Sequence, residues 1–188
     1  MTGREPDEYN ALRATIRERG SIRVCVFAGG IAAWAAVTIA TAALASSPVA
    51  TLLPLLVLAS IFEAVFALHV GVERIGRYLQ VFHETDDDAG GSERTAGRGG
   101  PHGWEHAAMA FGRPSGAATP DALFTVPFFL AALFNVVPAL IVQPTRVELV
   151  FVGGAHALFV LRLFVARQAA GKQRAIDLER FRQLKRDA

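Results

Sequence analysis

The chain has 188 residues, 52% of them hydrophobic and 19% charged, with a formal net charge of +2. Charge is absent from 24–45, 122–143 and 149–161, and 49–72 holds only Glu63. That distribution excludes a soluble enzyme, a nucleic-acid binder and a secreted disulfide scaffold, and the lone Cys25 allows no internal disulfide.

A membrane-spanning helix needs about 20 apolar residues. The pattern therefore predicts an all-α, integral membrane four-helix bundle. It is built from two transmembrane hairpins with cytoplasmic amphipathic helical extensions.

Residues 1–23 come first. Tyr9, Leu12 and Ile16 recur at spacings of three and four, which predicts a short helix over 6–19 with Pro6 in its first turn and Gly20 at its end. One narrow apolar face suits a helix lying on the inner leaflet. Hairpin 1 (24–72) follows, with spans at 24–45 and 50–72. Ser47-Pro48 offers an N-cap and a proline at the first helical position of the second span. Ala43-Leu44-Ala45 resembles a signal-peptidase site, but the apolar stretch before it is about twice signal length, and a second run follows at once. The segment is expected to stay as a span. Gly29, Ala33, Ala36, Ala40, Ala43 and Ser47 share one small-residue face, suited to close packing inside the bundle or to a dimer contact.

Region 73–120 is read as a cytoplasmic loop. Leu68, Val72, Ile75, Leu79 and Phe82 form a heptad-like seam, so the second helix should project to about residue 84. Glu73 and Arg77 on its polar stripe are spaced for an i,i+4 ion pair, worth about 0.3–0.5 kcal/mol if exposed. Residues 85–103 read as a flexible linker, and Trp104, Ala107, Ala108 and Phe111 as a short apolar patch. His83, Glu84, Asp86, Asp87, Asp88, His102, Glu105 and His106 are metal-compatible types without a ligand spacing, so no metal or other cofactor is assigned.

Hairpin 2 (121–166) has spans at 121–142 and 147–166. Thr119-Pro120 and Asp121 start the first, and Thr145-Arg146-Val147-Glu148 fits a capping box before the second. Pro127 and Pro138 should bend the first or free carbonyls in it. The basic tail, 167–188, should form a helix. Lys172, Arg174, Arg180 and Arg182 are assigned to the membrane surface, with packing on the projecting second helix as the sharper alternative.

Lys and Arg give the orientation. The N-terminal segment and the central loop carry five each and the tail seven, whereas Arg146 alone lies on the opposite side. Both termini and the loop are thus expected in the cytoplasm of a multi-pass cell-membrane protein.

Glu63 is the costliest residue in this scheme. Placing each span by its own centre puts Glu63 and His156 within about 4 Å in depth at 1.5 Å per residue. Asn135 lies close by, and the three are expected to form one buried polar layer, as interhelical glue or as a titrating site. His69 and His156 differ too much in depth to share a haem, and no constellation for nucleophilic catalysis is present. The leading functional expectation is a non-enzymatic accessory or scaffold subunit presenting cytoplasmic helices. The alternative is a small proton-coupled transporter or channel protomer using Glu63. Expected partners are the bilayer and a second copy or membrane-complex subunit, not nucleic acid.

Overall fold

The computed structural model describes residues 4–44, 46–83 and 120–187, with side chains for 6–44, 46–83 and 125–187. The expected linker over 85–103, the patch around Trp104, the cap at Thr119 and every metal-compatible loop residue except His83 lie outside the described residues. So does the side chain of Asp121.

Among the described residues the chain is all helical: α1 (Arg4–Leu44), a 3-10 turn (Pro48–Thr51), α2 (Leu52–Phe82), α3 (Pro120–Ile141) and α4 (Arg146–Asp187). Three segments, Pro6–Leu44, Pro48–Phe82 and Arg146–Asp187, are long and apolar enough to cross a bilayer. The fourth helix, α3, has 22 residues.

Helix α1 runs unbroken for 41 residues. The expected stop at Gly20 is not made. An interior glycine costs about 1 kcal/mol relative to alanine, and here both halves of α1 pack along α2, which offsets it. The first turns of α1 accordingly lie against α2 rather than apart from the bundle. Val26, Phe27, Ile31 and Trp34 turn toward the core. Gly30 marks the closest approach: a Cβ there would meet Ile61 Cγ2 at 2.6 Å. The small-residue face is on the other side. Gly29, Ala33, Ala36, Ala40 and Ala43 are all exposed, which corrects the expected packing of that face inside the bundle. The reason is that bulky side chains at 26, 27, 31 and 34 gain more by burial than alanines do.

Helices α2 and α4 lie side by side and run in the same direction. Their facing residues differ by about one hundred in number: Glu63 meets Arg162, Glu73 meets Arg174, and Arg77 meets Asp177. On α4 the buried positions are Val152, His156, Phe159, Leu163, Ala166, Ala170 and Asp177. They step by four and three, with one sevenfold step, so a single heptad seam runs most of the helix. Phe128 of α3 is fully buried and closes the core, with ring contacts to Phe27 at 5.7 Å and Phe62 at 5.3 Å. Phe62 in turn meets Phe159 of α4 edge-on at 6.2 Å. These aromatic contacts join all four helices and set their register.

Both turns at the closed end are short. Ser47 is extended (φ −99°, ψ 132°) and makes no side-chain cap; Pro48 begins the 3-10 turn instead. At the second turn the capping box forms in full. The Thr145 N–H and hydroxyl donate to Glu148 Oε2 at 2.9 and 2.8 Å, and the Glu148 N–H donates to Thr145 Oγ1 at 3.3 Å. Gln143 has φ 56°, the left-handed conformation that turns the chain between α3 and α4. Helix α3 continues through both Pro127 and Pro138.

Candidate functional site

Polar side chains gather at three levels of the bundle. The first is at the closed end. Asn135 is fully buried, and its Nδ2 donates to the Thr51 carbonyl at 2.9 Å and to His156 Nε2 at 3.0 Å. His156 Nδ1 lies 2.8 Å from the Val152 carbonyl. A carbonyl only accepts, so Nδ1 carries the proton and Nε2 is the acceptor. One amide thereby ties α3 to α4 and to the turn before α2. Asn135 Oδ1 is buried without a hydrogen bond.

Glu63 is not part of this layer. It sits on the outer edge of α2 and holds Arg162 through two contacts, Nε to Oε1 at 2.7 Å and Nη2 to Oε2 at 2.8 Å. The side chains are 42% (Arg162) and 49% (Glu63) exposed, and the guanidinium lies 5.7 Å from the Phe66 ring centroid. The expected Glu63–His156 match therefore fails. Centring each span on its own apolar length ignores how far α4 slides along α2. Packing of Phe62 on Phe159 sets that slide and brings Arg162, six residues beyond His156, level with Glu63.

The third level is a stalk made by the charged ends of α1, α2 and α4. Arg77 Nη2 donates to Asp177 Oδ2 at 3.1 Å, with both side chains under 10% exposed. Arg74 reaches the same oxygen at 3.4 Å, and Gln173 donates to Oδ1 at 2.7 Å. Glu73 takes Arg174 at 2.6 Å and Arg77 at 3.5 Å, and lies 3.6 Å from His69. Arg23 of α1 donates to His69 Nδ1 at 2.9 Å. The Glu73–Arg77 pair thus belongs to a half-buried network across two helices, where a solvated pair on one helix was expected. Burial works to raise the Asp177 carboxyl, but the hydrogen bonds from Gln173, Arg74 and Arg77 and the Arg74 charge outweigh it and hold it below its ordinary value.

The far end of the stalk is aromatic. Tyr78 stacks on Phe82 at 4.7 Å, Phe181 of α4 meets Tyr78 edge-on at 5.7 Å, and Tyr9 of α1 lies 5.7 Å from His83. The Tyr78 hydroxyl donates to Glu8 at 2.8 Å. Burial pushes the Tyr78 hydroxyl above its ordinary pKa, and the hydrogen bond to the Glu8 carboxylate and its charge add to that.

Of the basic residues assigned to the membrane surface, Lys172, Arg180 and Arg182 are exposed, while Arg174 turns inward to Glu73. The Glu73 carboxylate of α2 draws it to that side, with Arg174 Nε and Nη2 at 3.1 and 2.6 Å from it. The sequence reading did not single out Thr51, Arg162, Arg74 or Asp177. Asp177 stands seven residues after Ala170 on the heptad, so the period alone marks it. His69 and His156 belong to different levels, and neither faces the other. A cavity of about 40 Å³ between α2, α3 and α4 is walled mainly by Phe62, Val65, Phe128 and Leu163. Among the described residues no group of three or more His, Cys, Asp or Glu is placed to hold a metal ion. Compared with family models, curated proteins and solved structures, the chain matches none.

Proposed function

We propose that this chain is a four-span membrane protein, with both termini and the charged stalk in the cytoplasm, that acts as a non-enzymatic accessory or scaffold subunit. The stalk carries this reading. Three helices leave the apolar bundle together, and ion pairs between α2 and α4, with the Arg23–His69 and Glu8–Tyr78 bonds from α1, hold them as one body. Its inner faces pair Arg77 with Asp177 and Arg174 with Glu73. Its outer faces present Lys172, Ile176, Arg180, Arg182 and Leu184 to the surroundings.

The outer surface of the apolar part supports membrane embedding. Val147, Val150, Ile141, Ile39 and Leu158 are each more than 65% exposed, while Asn135 and His156 are buried. Large apolar side chains outside and hydrogen-bonded polar groups inside suit hydrocarbon as the solvent. The excess of Lys and Arg at the stalk end supports its cytoplasmic placement.

The transporter reading would place Glu63 on an aqueous path. Its carboxylate instead lies on the outer face, locked onto Arg162, which lends that reading no support. The deciding experiment has two arms. Photo-crosslinking residues at Lys172, Ile176 and Leu184 should trap a defined partner, and the adduct should vanish when Asp177→Arg detaches the tail. Proteoliposomes of the purified chain should show no proton-coupled flux above empty vesicles. A flux that Glu63→Gln abolishes would overturn the scaffold reading in favour of transport.

A further inference from the structure

The Glu63–Arg162 pair is placed where lipid alone is a poor neighbour. Glu63 lies eleven residues into α2, about 17 Å along the helix at 1.5 Å per residue, which is near mid-depth of a roughly 30 Å hydrocarbon layer. The two charges satisfy each other bidentately. Two of the five guanidinium N–H groups are used, leaving three, and the carboxylate keeps accepting capacity. No water is on hand in hydrocarbon to take them up.

We propose that this α2–α4 face is the twofold interface between two copies of the chain, a proposal that rests on the membrane reading above. The geometry selects a second copy as the occupant. Copies in one bilayer share their orientation, so they meet about a twofold axis along the membrane normal. That rotation keeps depth and exchanges left for right. Helices α2 and α4 run parallel, side by side, and present Glu63 and Arg162 at one depth. Facing the partner, each Glu63 then lies opposite the partner's Arg162, and the two pairs close into a four-membered ionic ring. Small side chains at Ser60, Ala64 and Ala67 flank Glu63 on the exposed side of α2 and leave room for a close approach. The Ser60 hydroxyl is already bonded to the Leu56 carbonyl at 2.9 Å, so it adds no unmet donor.

The test uses the full-length chain in vesicles, with donor and acceptor dyes on the exposed native Cys25, diluted with lipid until random encounters are negligible. The wild type should transfer energy, and unlabelled chain should compete it away. Glu63→Arg alone and Arg162→Glu alone should each lose transfer, because like charges then meet within and across the interface. A one-to-one mixture of these two variants should regain it, since both cross-pairs become opposite again. Rescue in the mixture also shows that each variant still folds. Transfer at the random level for the wild type would mean that lipid or another protein covers the pair, and would overturn the proposal. Transfer undiminished in both single variants would overturn it as well. Alkaline carbonate extraction separates the two layers of the argument. Release of the chain from native membranes would remove the membrane reading and the dimer with it, whereas retention with random transfer would remove the dimer alone.

Discussion

Asn135 does with one amide what three residues were expected to share. Its two N–H groups bond the Thr51 carbonyl and His156 Nε2, so truncating it strands an acceptor on each of two neighbours. Asn135→Ala and His156→Ala should couple by about 0.6–1.7 kcal/mol in a double-mutant cycle of unfolding in micelles. Glu63→Ala and His156→Ala should simply add, and coupling between them as large as that of the first pair would contradict the separation of the two levels. His156 and Asn135 could be found from the sequence because polar residues stand out in uncharged spans. Their partner Thr51 could not, because the bond uses its backbone carbonyl, which every residue carries. Tyr78 gives a second residue-scale check. With Tyr9→Phe, Tyr78 is the one remaining tyrosine, and its ultraviolet titration should have a midpoint above the ordinary value of about 10. Glu8→Gln should bring the midpoint down. The sign follows from linkage: a hydroxyl with a raised folded pKa stabilises the fold below its ordinary value and loses that contribution as pH rises through the raised one.

Between elements, the register of α4 on α2 is the decisive relation, and it was the part least legible in the sequence. Apolar run lengths fix where a span lies to within a few residues. They do not fix how far one helix slides along another, which aromatic packing and the stalk ion pairs decide. The capping box at Thr145 and Glu148 was readable because it is local. The continuity of α1 through Gly20 was not, because it depends on the helix packed beside it. Two measurements bear on these contacts. Gly30→Val should destabilise the α1–α2 contact by about 1–3 kcal/mol through overpacking against Ile61. The neighbouring Gly29→Val, with open space around it, should stay within about 1 kcal/mol of wild type. Asp177→Ala should cost about 1–3 kcal/mol, because it leaves buried Arg77 with only the longer contact to Glu73, and protease should then cut the tail faster. The Asp177 carboxyl is held below its ordinary value, so its stabilisation is complete above that value and is lost as pH falls through the lower folded one. Mobility of a spin label at position 184 should therefore rise as pH falls below about 4.

At the scale of the molecule, α1, α2 and α4 each continue without a break from an apolar stretch into a charged one, and α3 packs beside α2 and α4 within the apolar part. The all-helical class of fold was readable from four apolar runs, three without charge and one holding only Glu63. The joining of three charged ends into one stalk was only half readable, because the tail could equally have been drawn to a membrane surface; Arg174 and Asp177 turning onto α2 decide it. If the stalk is cytoplasmic, every basic cluster lies on one side and Arg146 alone on the other. The most direct test of that arrangement is a dual topology reporter fused after residue 188, with a companion in the turn between α3 and α4. The account predicts cytoplasmic activity for the fusion after residue 188 and activity only on the opposite side for the turn. The reverse pattern, or the same side for both, would contradict it.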